Sequence, residues 1–207
     1  MPEIWVVRHG ETEWSRTGRY TGRTDIPLTA AGEQEAAALR PRIGDRRFSL
    51  VLSSPLLRAW ETCRLAGLGG AARRTDQLLE WDYGACEGRT ATEIRKEAPG
   101  WVIWNDGVPG GETVEEVGVR ARRVIDQVVQ VPGDVALFAH GHVLRILAAC
   151  WIGLPPRDAR LLALDTASIG ILGRGEGDRV IRAWNIRGGH TSLPDVTPPP
   201  APGRSRP

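Results

Sequence analysis

Short apolar runs alternate with helical patterns along this sequence, and this alternation limits the fold more than any other feature. Residues 4–7, 50–52 and 135–139 are apolar runs of the length of a buried strand. A segment with helical signals follows each of them. Residues 169–172 and 180–186 predict two further strands. Strands that alternate with helices indicate an α/β protein with a mostly parallel sheet.

Capping residues place the first two helices. Thr29 is predicted to cap a helix that runs through Leu39, and Pro41 should end or kink it. Ser54 before Pro55 has the pattern of a cap followed by the first helical position, which predicts a helix through residues 56–65.

A capping box marks the third helix. Thr113 and Glu116 have the spacing at which the two side chains cap each other's backbone. Apolar residues then recur at intervals of three and four, namely Val114, Val117, Ala121, Val124 and Val128. We therefore predict an amphipathic helix here, and another helix over residues 143–152.

The composition predicts one globular domain. The chain has 207 residues, of which 41% are hydrophobic and 25% charged, enough for one sizeable core. A net charge of +2 gives no reason to expect a nucleic acid or a membrane as partner. We expect one domain over residues 1–190, followed by a proline-rich tail, residues 194–207, that is disordered or extended.

The N-terminus and the cysteines predict a cytoplasmic location. The sequence does not open with a signal-peptide pattern, and its apolar runs are too short to span a membrane. Cys63, Cys86 and Cys150 are scattered and odd in number, which favours reduced thiols over a disulfide framework.

Basic and imidazole side chains stand where the predicted strands end. Arg8 and His9 follow the first run, Arg58 lies in the helix after the second, and His140 follows the third. Ligands of open α/β sheets bind beyond the carboxyl ends of the strands. Two arginines and two imidazoles over helix N-termini favour a tetrahedral dianion. Taken alone, each of these residues, and also Glu80, would more often be structural or solvated. The prediction therefore rests on their occurring together.

Five motifs occur in an order that resembles a known family. They are Arg-His-Gly-Glu-Thr at residues 8–12, Tyr-Thr-Gly with Asp25 and Pro27-Leu28-Thr29 at 20–29, Ser-Ser-Pro with Arg58-Ala59 and Glu61-Thr62 at 53–62, Leu-Glu-Trp-Asp-Tyr-Gly with Glu87-Gly88 at 79–88, and Ala-His-Gly at 139–141. Together they resemble the histidine phosphatase superfamily, which includes cofactor-dependent phosphoglycerate mutase. Ordered blocks across residues 3–173 are far more specific than one short motif.

The resemblance implies both a fold and a chemistry. The fold would be a three-layer α/β/α sandwich with a mostly parallel central sheet, and the activity a phosphatase that needs no metal or cofactor. His9 would attack the phosphorus of a small phosphorylated substrate and carry the phosphoryl group. Arg8, Arg58 and His140 would hold the phosphate oxygens. Glu80 would protonate the leaving oxygen and then activate water.

Phosphoglycerate mutase activity is the main alternative, and departures from the mutase pattern count against it. The segment after the acid block, residues 89–113, is short. Asn105 and Asp106 stand at the place of an arginine pair that grips an acid substrate in mutases, and an aspartate would repel it. Ser15 and His142 stand where mutases have asparagine. These departures favour hydrolysis.

A narrower resemblance concerns the substrate. Residues 80–84, 103–107, 138–142 and 166–170 resemble bacterial acid phosphatases of broad substrate choice and fungal sedoheptulose-1,7-bisphosphatase-type enzymes. The resemblance implies substrate-binding roles that are assigned to Ser15, Thr21, Gly22, Tyr83 and His142, with a supporting role behind the pocket as the alternative for Tyr83 and His142. Candidates for binding a second phosphate are Arg16, Arg19, Arg23 and Arg89, each of which also fits a solvated surface position.

Two other classes of protein fit parts of the pattern. In a metal hydrolase, His140 and His142 would have ligand-like spacing, and His9 and Glu80 would complete the shell, but the two arginines would repel a cation. A non-enzymatic phosphate-binding protein is disfavoured because all five core positions of the family are present. The sequence itself gives no sign of the oligomeric state, but because many members of the superfamily are dimers, the resemblance allows a homodimer.

Overall fold

One mixed sheet forms the centre of the molecule. The computed structural model describes residues 2–43 and 46–187. Its strands are β1 (Ile4–Arg8), β2 (Leu50–Ser53), β3 (Ala72–Arg74), β4 (Val135–Ala139), β5 (Ser168–Gly175) and β6 (Asp178–Arg187). They lie in the order β3-β2-β4-β1-β5-β6, the first four parallel and the last two joined antiparallel. The predicted mostly parallel sheet is confirmed.

Helices connect the strands and cover the sheet. The helices of the described ranges are α1 (Glu13–Arg16), α2 (Ala30–Ala37), α3 (Arg40–Ile43), α4 (Leu57–Leu65), α5 (Ala91–Glu97), α6 (Ile103–Asp106), α7 (Val114–Val128) and α8 (Gly141–Trp151), with 3-10 helices at Asp76–Leu78, Gly84–Cys86 and Pro156–Leu161. None of them has both the length and the apolar character that crossing a membrane requires.

Each face of the sheet buries its own hydrophobic core. Along β1, Ile4 and Val6 belong to one core, while Trp5 and Val7 belong to the other. Helices α7 and α8 pack on the first face, and residues from α3 and α4 pack on the second. A strand covered on both faces has a continuous apolar sequence, which is why these runs were recognisable. The three-layer α/β/α sandwich is therefore confirmed.

The predictions for the capped helices α2 and α7 are confirmed in part. The capping box of Thr113 and Glu116 opens α7 as predicted. Thr29 caps α2, but this helix ends at Ala37, and Pro41 lies inside the separate α3.

The predicted cap of α4 is wrong. Ser54 and Pro55 precede the helix, which begins at Leu57 and receives no side-chain cap from its own N-cap residue. Instead, the carboxylate of Asp25 accepts the Leu57 N–H at 2.7 Å. A residue distant in the sequence thus supplies the capping oxygen, and the Ser54 hydroxyl is left for another partner.

Two predictions about the C-terminal part of the chain stay predictions. The tail predicted at residues 194–207, and the end of the domain predicted at residue 190, lie outside the described residues. Elements absent from the prediction include β3 and α5, and β3 has no apolar run that could have marked it.

Two glycines let the loop after β1 pack closely against α2. A Cβ built on Gly10 would overlap the Gly32 carbonyl oxygen, and a Cβ on Gly32 would overlap the carbonyl oxygen of Glu11. Because this contact is between two backbones, neither side can move away by changing a rotamer. The contact fixes the loop that follows the end of β1.

We predict that Gly32→Ala lowers the free energy of unfolding by about 1–3 kcal/mol, the usual cost of overpacking. The matched control is Gly70→Ala, since no atom lies within 4 Å of a Cβ at that position. The control should stay within about 0.5 kcal/mol of the parent or gain slightly from lower chain entropy. Urea unfolding measures both, and equal stability of the two variants would contradict the packing argument.

Candidate active site

His9 is held rigidly where β1 ends. Its backbone N–H donates to the Ala139 carbonyl at 3.0 Å, and its carbonyl accepts the Ala167 N–H at 3.0 Å. The imidazole Nδ1 lies 2.7 Å from the Gly10 carbonyl oxygen. Because a carbonyl only accepts, Nδ1 carries the proton, and Nε2 keeps a free lone pair. Burial, followed by the charges of Arg58 and Arg8, lowers the pKa of His9 well below its usual value. The ring is therefore neutral and oriented, as the predicted nucleophile must be.

Arg8 places positive charge beside this nucleophile. One of its Nη atoms donates to the Leu164 carbonyl at 2.5 Å. Its Nε is buried and has no hydrogen-bond partner in the described part of the chain. A buried donor left unpaired is costly, and functional sites are where such donors persist. An anionic oxygen would satisfy it.

Arg58 and His140 form a buried layer behind the nucleophile. The Arg58 Nε donates to Nδ1 of His140 at 3.1 Å, so the proton of His140 lies on Nε2, which is 2.8 Å from the Ser54 hydroxyl. The two rings of His140 and His9 stand 5.2 Å apart. Burial and then the Arg58 charge lower the pKa of His140 well below its usual value.

The remaining N–H donors of Arg58 bond to the backbone of the loop at residues 21–24. Nη1 donates to Thr24 and Nη2 to Thr21 and Gly22, all through carbonyl oxygens at 2.9–3.1 Å. A guanidinium has five N–H groups, so one on Nη1 is left without an acceptor in the described ranges. Direct contact of Arg58 and His140 with phosphate stays a prediction.

Glu80 is fixed at the N-terminus of α8. Its carboxylate accepts the backbone N–H groups of Trp81, His142 and Val143 at 2.9–3.0 Å. Arg120 of α7 holds the segment in place by donating to the Glu80 carbonyl at 3.3 Å and to two carbonyls before it. The carboxylate is thus positioned by backbone groups on the same wall as the nucleophile.

One pocket of about 180 Å³ opens onto these groups. His9, Arg8 and Glu80 line it, together with the predicted Ser15, Thr21, Tyr83 and His142. Its other lining residues are Gly18, Arg19, Tyr20, Gly141, Arg145 and Leu164. The predicted residues Arg58, His140 and Gly22 lie behind this lining. A Cβ at Gly22 would come 2.5 Å from the Trp81 carbonyl oxygen, so this position serves close packing.

His142 and Tyr83 form a hydrogen-bonded pair on the pocket wall. The Tyr83 hydroxyl and His142 Nδ1 lie 2.5 Å apart. Burial raises the pKa of Tyr83 well above its usual value and lowers that of His142 well below. Aromatic rings pack around the imidazole, the ring of Trp104 being nearest at 4.9 Å between centroids. The pair is therefore uncharged, and its contact with substrate stays a prediction.

The arginines proposed for a second phosphate are all paired with carboxylates. Their partners are Glu13 for Arg16, Glu93 for Arg19, Asp82 and Glu112 for Arg23, and Glu97 for Arg89. Sequence reasoning missed Arg145, which lines the pocket. The sequence did contain a signal for it, because Arg145 lies four residues after Gly141 on one helix. Residues four apart share a helix face, so Arg145 could have been expected on the side of the helix that faces the site.

The argument from Asn105 and Asp106 against an acid substrate is wrong. Both residues line a separate cavity of about 350 Å³. The Asp106 carboxylate accepts the Val102 N–H at 2.6 Å, which fixes it within α6. Asp106 is thus not among the residues that line the pocket of His9 and cannot repel a ligand there by contact.

The side chains that were considered as metal ligands are not arranged as a metal site. Within residues 2–43 and 46–187, no group of three or more His, Cys, Asp or Glu side chains is arranged to hold a metal ion. His140 has both ring nitrogens engaged, and Nδ1 of His142 is bonded to Tyr83.

Comparisons with known proteins agree with this geometry. Residues 4–187 match the family model of the histidine phosphatase superfamily (branch 1). The chain is 37% identical to an acid phosphatase of Mycobacterium tuberculosis over 189 residues, which cover 89% of this chain and 93% of the relative. It is 37% identical to the sedoheptulose 1,7-bisphosphatase of Saccharomyces cerevisiae over 190 residues, 74% of this chain and 68% of the relative.

A mutase relative and a solved structure complete the comparison. A probable phosphoglycerate mutase of Yersinia enterocolitica is 30% identical over 196 residues, 90% of this chain and 91% of the relative. The solved structure of the product of a Mycobacterium tuberculosis open reading frame has a TM-score of 0.86 and 36% identity, covering 90% of this chain and 98% of that one.

The three buried histidines predict a loss of stability in mild acid. The pKa values of His9, His140 and His142 are lowered well below 6.5 in the folded protein, so below that pH the unfolded chain binds more protons. Their contribution is fully present above pH 6.5. As the pH falls from 6.5 toward 5, the free energy of unfolding should drop by up to about 1.4 kcal/mol per histidine and pH unit.

Urea unfolding across this range measures the slope. His142→Gln should reduce the slope by about a third, since one of the three groups no longer titrates. A free energy of unfolding that stays constant between pH 7 and 5 would contradict neutral burial of these rings.

Proposed function

This chain belongs to branch 1 of the histidine phosphatase superfamily, and on that premise we propose that it hydrolyses phosphate monoesters of small metabolites through a phosphohistidine at His9. One observation supports the nucleophile most. The Gly10 carbonyl fixes the proton of His9 on Nδ1, which leaves the Nε2 lone pair free, and Arg8 lines the same pocket. A nucleophilic electron pair and a cation are thus available in one pocket.

The first step transfers the phosphoryl group to the protein. The Nε2 lone pair attacks phosphorus, and the bond between phosphorus and the ester oxygen breaks. Glu80 enters this step protonated and gives its proton to the leaving oxygen. Arg8, Arg58 and His140 stabilise the charge on the transferred group, since positioning and positive charge supply most of the catalysis in phosphoryl transfer.

The second step releases phosphate. Glu80, now a carboxylate, takes a proton from water, and the resulting hydroxide attacks phosphorus. The bond between phosphorus and Nε2 breaks, and the ring returns to the neutral form with its proton on Nδ1. Inorganic phosphate leaves, and Glu80 is again protonated for the next cycle.

The names of the relatives support a proposal for the class of substrate. One relative bears the name of a broad class, acid phosphatase, and another the name of a sugar bisphosphatase. We infer a small phosphorylated metabolite, which a pocket of about 180 Å³ suits. A phosphoglycerate mutase is the second candidate, because a relative of that name is 30% identical and the Asp106 argument against it does not hold.

The proposed place of action is the cytoplasm. Three free, buried cysteines support it, since reduced thiols persist there. Burial raises the pKa of Cys63 to about 12, which keeps this thiol protonated and unreactive.

The test is phosphate release in excess chelator, with the parent protein compared with His9→Ala. We expect the parent to hydrolyse p-nitrophenyl phosphate and at least one of 3-phosphoglycerate, fructose 1,6-bisphosphate and sedoheptulose 1,7-bisphosphate. The variant should lose at least about 10³-fold in kcat/KM, because the covalent route is gone. Release that persists in His9→Ala contradicts the nucleophile, and conversion of 3- to 2-phosphoglycerate without net release identifies the mutase.

We predict that Glu80→Gln lowers kcat by about 10²–10⁴-fold on sugar phosphates, whose alkoxide is a poor leaving group that needs a proton. The loss should be much smaller in the phosphorylation step with p-nitrophenyl phosphate, whose phenolate leaves unaided. Burst kinetics separate that step from hydrolysis of the phosphohistidine. The matched control is Asp82→Asn, which removes a neighbouring carboxylate outside the pocket and should leave both rates unchanged. Equal losses for both substrates in the first step would exclude Glu80 as the acid.

A further inference from the structure

Glu80, the acid of the proposed reaction, lies on a segment that has no regular hydrogen-bond ladder. Residues 79–83 belong to neither helix nor strand and lie between the 3-10 helices Asp76–Leu78 and Gly84–Cys86. The backbone groups of such a segment need partners from elsewhere in the fold, because a buried group left unpaired is costly. The position of Glu80 therefore depends on the residues that supply these partners.

Arg120 of α7 donates to three carbonyl oxygens in and just before this segment. Nη1 donates to the carbonyls of Gln77 and Leu79 at 3.0 Å, and Nη2 donates to that of Glu80 at 3.3 Å. Nη2 and Nε also donate to the Glu112 carboxylate at 2.8 and 2.7 Å. All five N–H groups of this guanidinium are thus engaged. Arg120 can therefore act on the reaction only through the segment that it holds.

Glu112 holds the next two residues of the same segment. Its Oε2 accepts the Asp82 N–H at 3.0 Å, its carbonyl accepts the indole N–H of Trp81 at 2.7 Å, and its own N–H donates to the Asp82 carbonyl at 3.0 Å. Its pairing with Arg120 is bidentate, and the two side chains are only 18% and 13% exposed. Bidentate geometry fixes the orientation of such a pair, and partial burial limits its screening by salt. The pair therefore holds the backbone on both sides of Glu80.

The phosphate-binding groups of the proposed reaction lie on other elements. Arg8 is on β1, Arg58 is on α4, and His140 directly precedes α8. A change at the pair of Arg120 and Glu112 should therefore displace the acid and leave the anion site in place. An acid must lie within hydrogen-bond reach of the leaving oxygen, and a displacement of about 1 Å can cost about 10²-fold in rate.

We propose that Arg120 and Glu112 are positioning residues for the general acid, and that their ion pair holds Glu80 where it can protonate the leaving oxygen. This inference rests on the proposed function, which makes Glu80 the acid. The contribution of the pair is then specific to leaving groups that need a proton. It disappears when residue 80 has no proton to give.

The test varies the leaving group while the transferred phosphate stays the same. Ring-substituted phenyl phosphates, from phenyl phosphate to p-nitrophenyl phosphate, release phenols of decreasing pKa, and phosphate release gives kcat/KM for each. This parameter reports the transfer to the protein, because it covers the steps up to the first irreversible one. In the parent, protonation by Glu80 should make the plot of log kcat/KM against the pKa of the phenol shallow. Glu80→Gln should make it steep.

Arg120→Met and Glu112→Gln should both steepen the plot toward that of Glu80→Gln. We expect kcat/KM to fall on the order of 10-fold for phenyl phosphate and to stay within about 3-fold for p-nitrophenyl phosphate. In the Glu80→Gln background, Arg120→Met should cost less than about 3-fold on every substrate, since residues that act as one unit are not additive. The control is Arg123→Met, which removes the same charge from an exposed position of α7 and should keep the parent slope.

A purely structural role of the pair predicts a different pattern. Loss of folded protein would lower kcat/KM by the same factor for every phenyl phosphate, leave the slope unchanged and persist in the Glu80→Gln background, and this result would overturn the proposal. Urea unfolding and the Kd of inorganic phosphate, measured by calorimetry, show whether each variant is folded. Glu112→Gln, which keeps the volume of the side chain, serves as the test if Arg120→Met does not fold.

Failure of the proposed function gives results of its own. Absence of phosphate release by the parent, or a parent slope in Glu80→Gln, would contradict the proposed reaction and with it the role of the pair. A steep slope in Glu80→Gln together with parent slopes in Arg120→Met and Glu112→Gln would overturn the positioning role alone.

Discussion

The buried guanidinium of Arg58 is the constraint on which the rest of the site depends. It is fully inaccessible, and its partners are Nδ1 of His140 and the carbonyl oxygens of Thr21, Gly22 and Thr24. A buried cation is costly unless its donors find acceptors, and four of the five N–H groups of Arg58 do, so loop 21–24, α4 and the end of β4 must keep their places around it. Carbonyl partners leave the charge uncompensated. Burial first, and then that charge, lower the pKa of His9, and the charge makes the site complementary to an anion.

Hydrogen bonds rather than charges decide where the protons of the site lie. The Gly10 carbonyl fixes the tautomer of His9, and the Arg58 Nε fixes that of His140. Both assignments follow from partners that can only accept or only donate. The carboxylate of Glu80 and the imidazole of His9 are oriented by the backbone, because N–H groups around the first turn of α8 hold Glu80 and the Gly10 carbonyl holds His9. A site positioned in this way needs little reorganisation when a phosphate enters.

The sequence predicted the fold and the meeting of His9 and His140 because both depend on local patterns. Apolar runs marked the strands buried on both faces, and adjacent parallel strands bring their ends, with His9 and His140, to one edge. The predictions that failed concern features that depend on contacts between distant segments of the chain. Asp25 caps α4 from another part of the chain, and β3 pairs with β2 without any apolar run. The sequence does not reveal whether an arginine is paired with a carboxylate. Four arginines that prove to be paired were therefore named as candidates for a second phosphate, while Arg145 was not named.

The most direct test of the account is the phosphorylated state of the protein itself. The parent protein would be mixed with substrate, quenched during turnover under conditions that preserve the acid-labile bond between phosphorus and nitrogen, digested and examined by mass spectrometry. The account predicts one phosphoryl group on the peptide that contains His9, absent from the His9→Asn variant. A phosphoryl group on another residue, or turnover with no phosphorylated peptide at any time point, would contradict it.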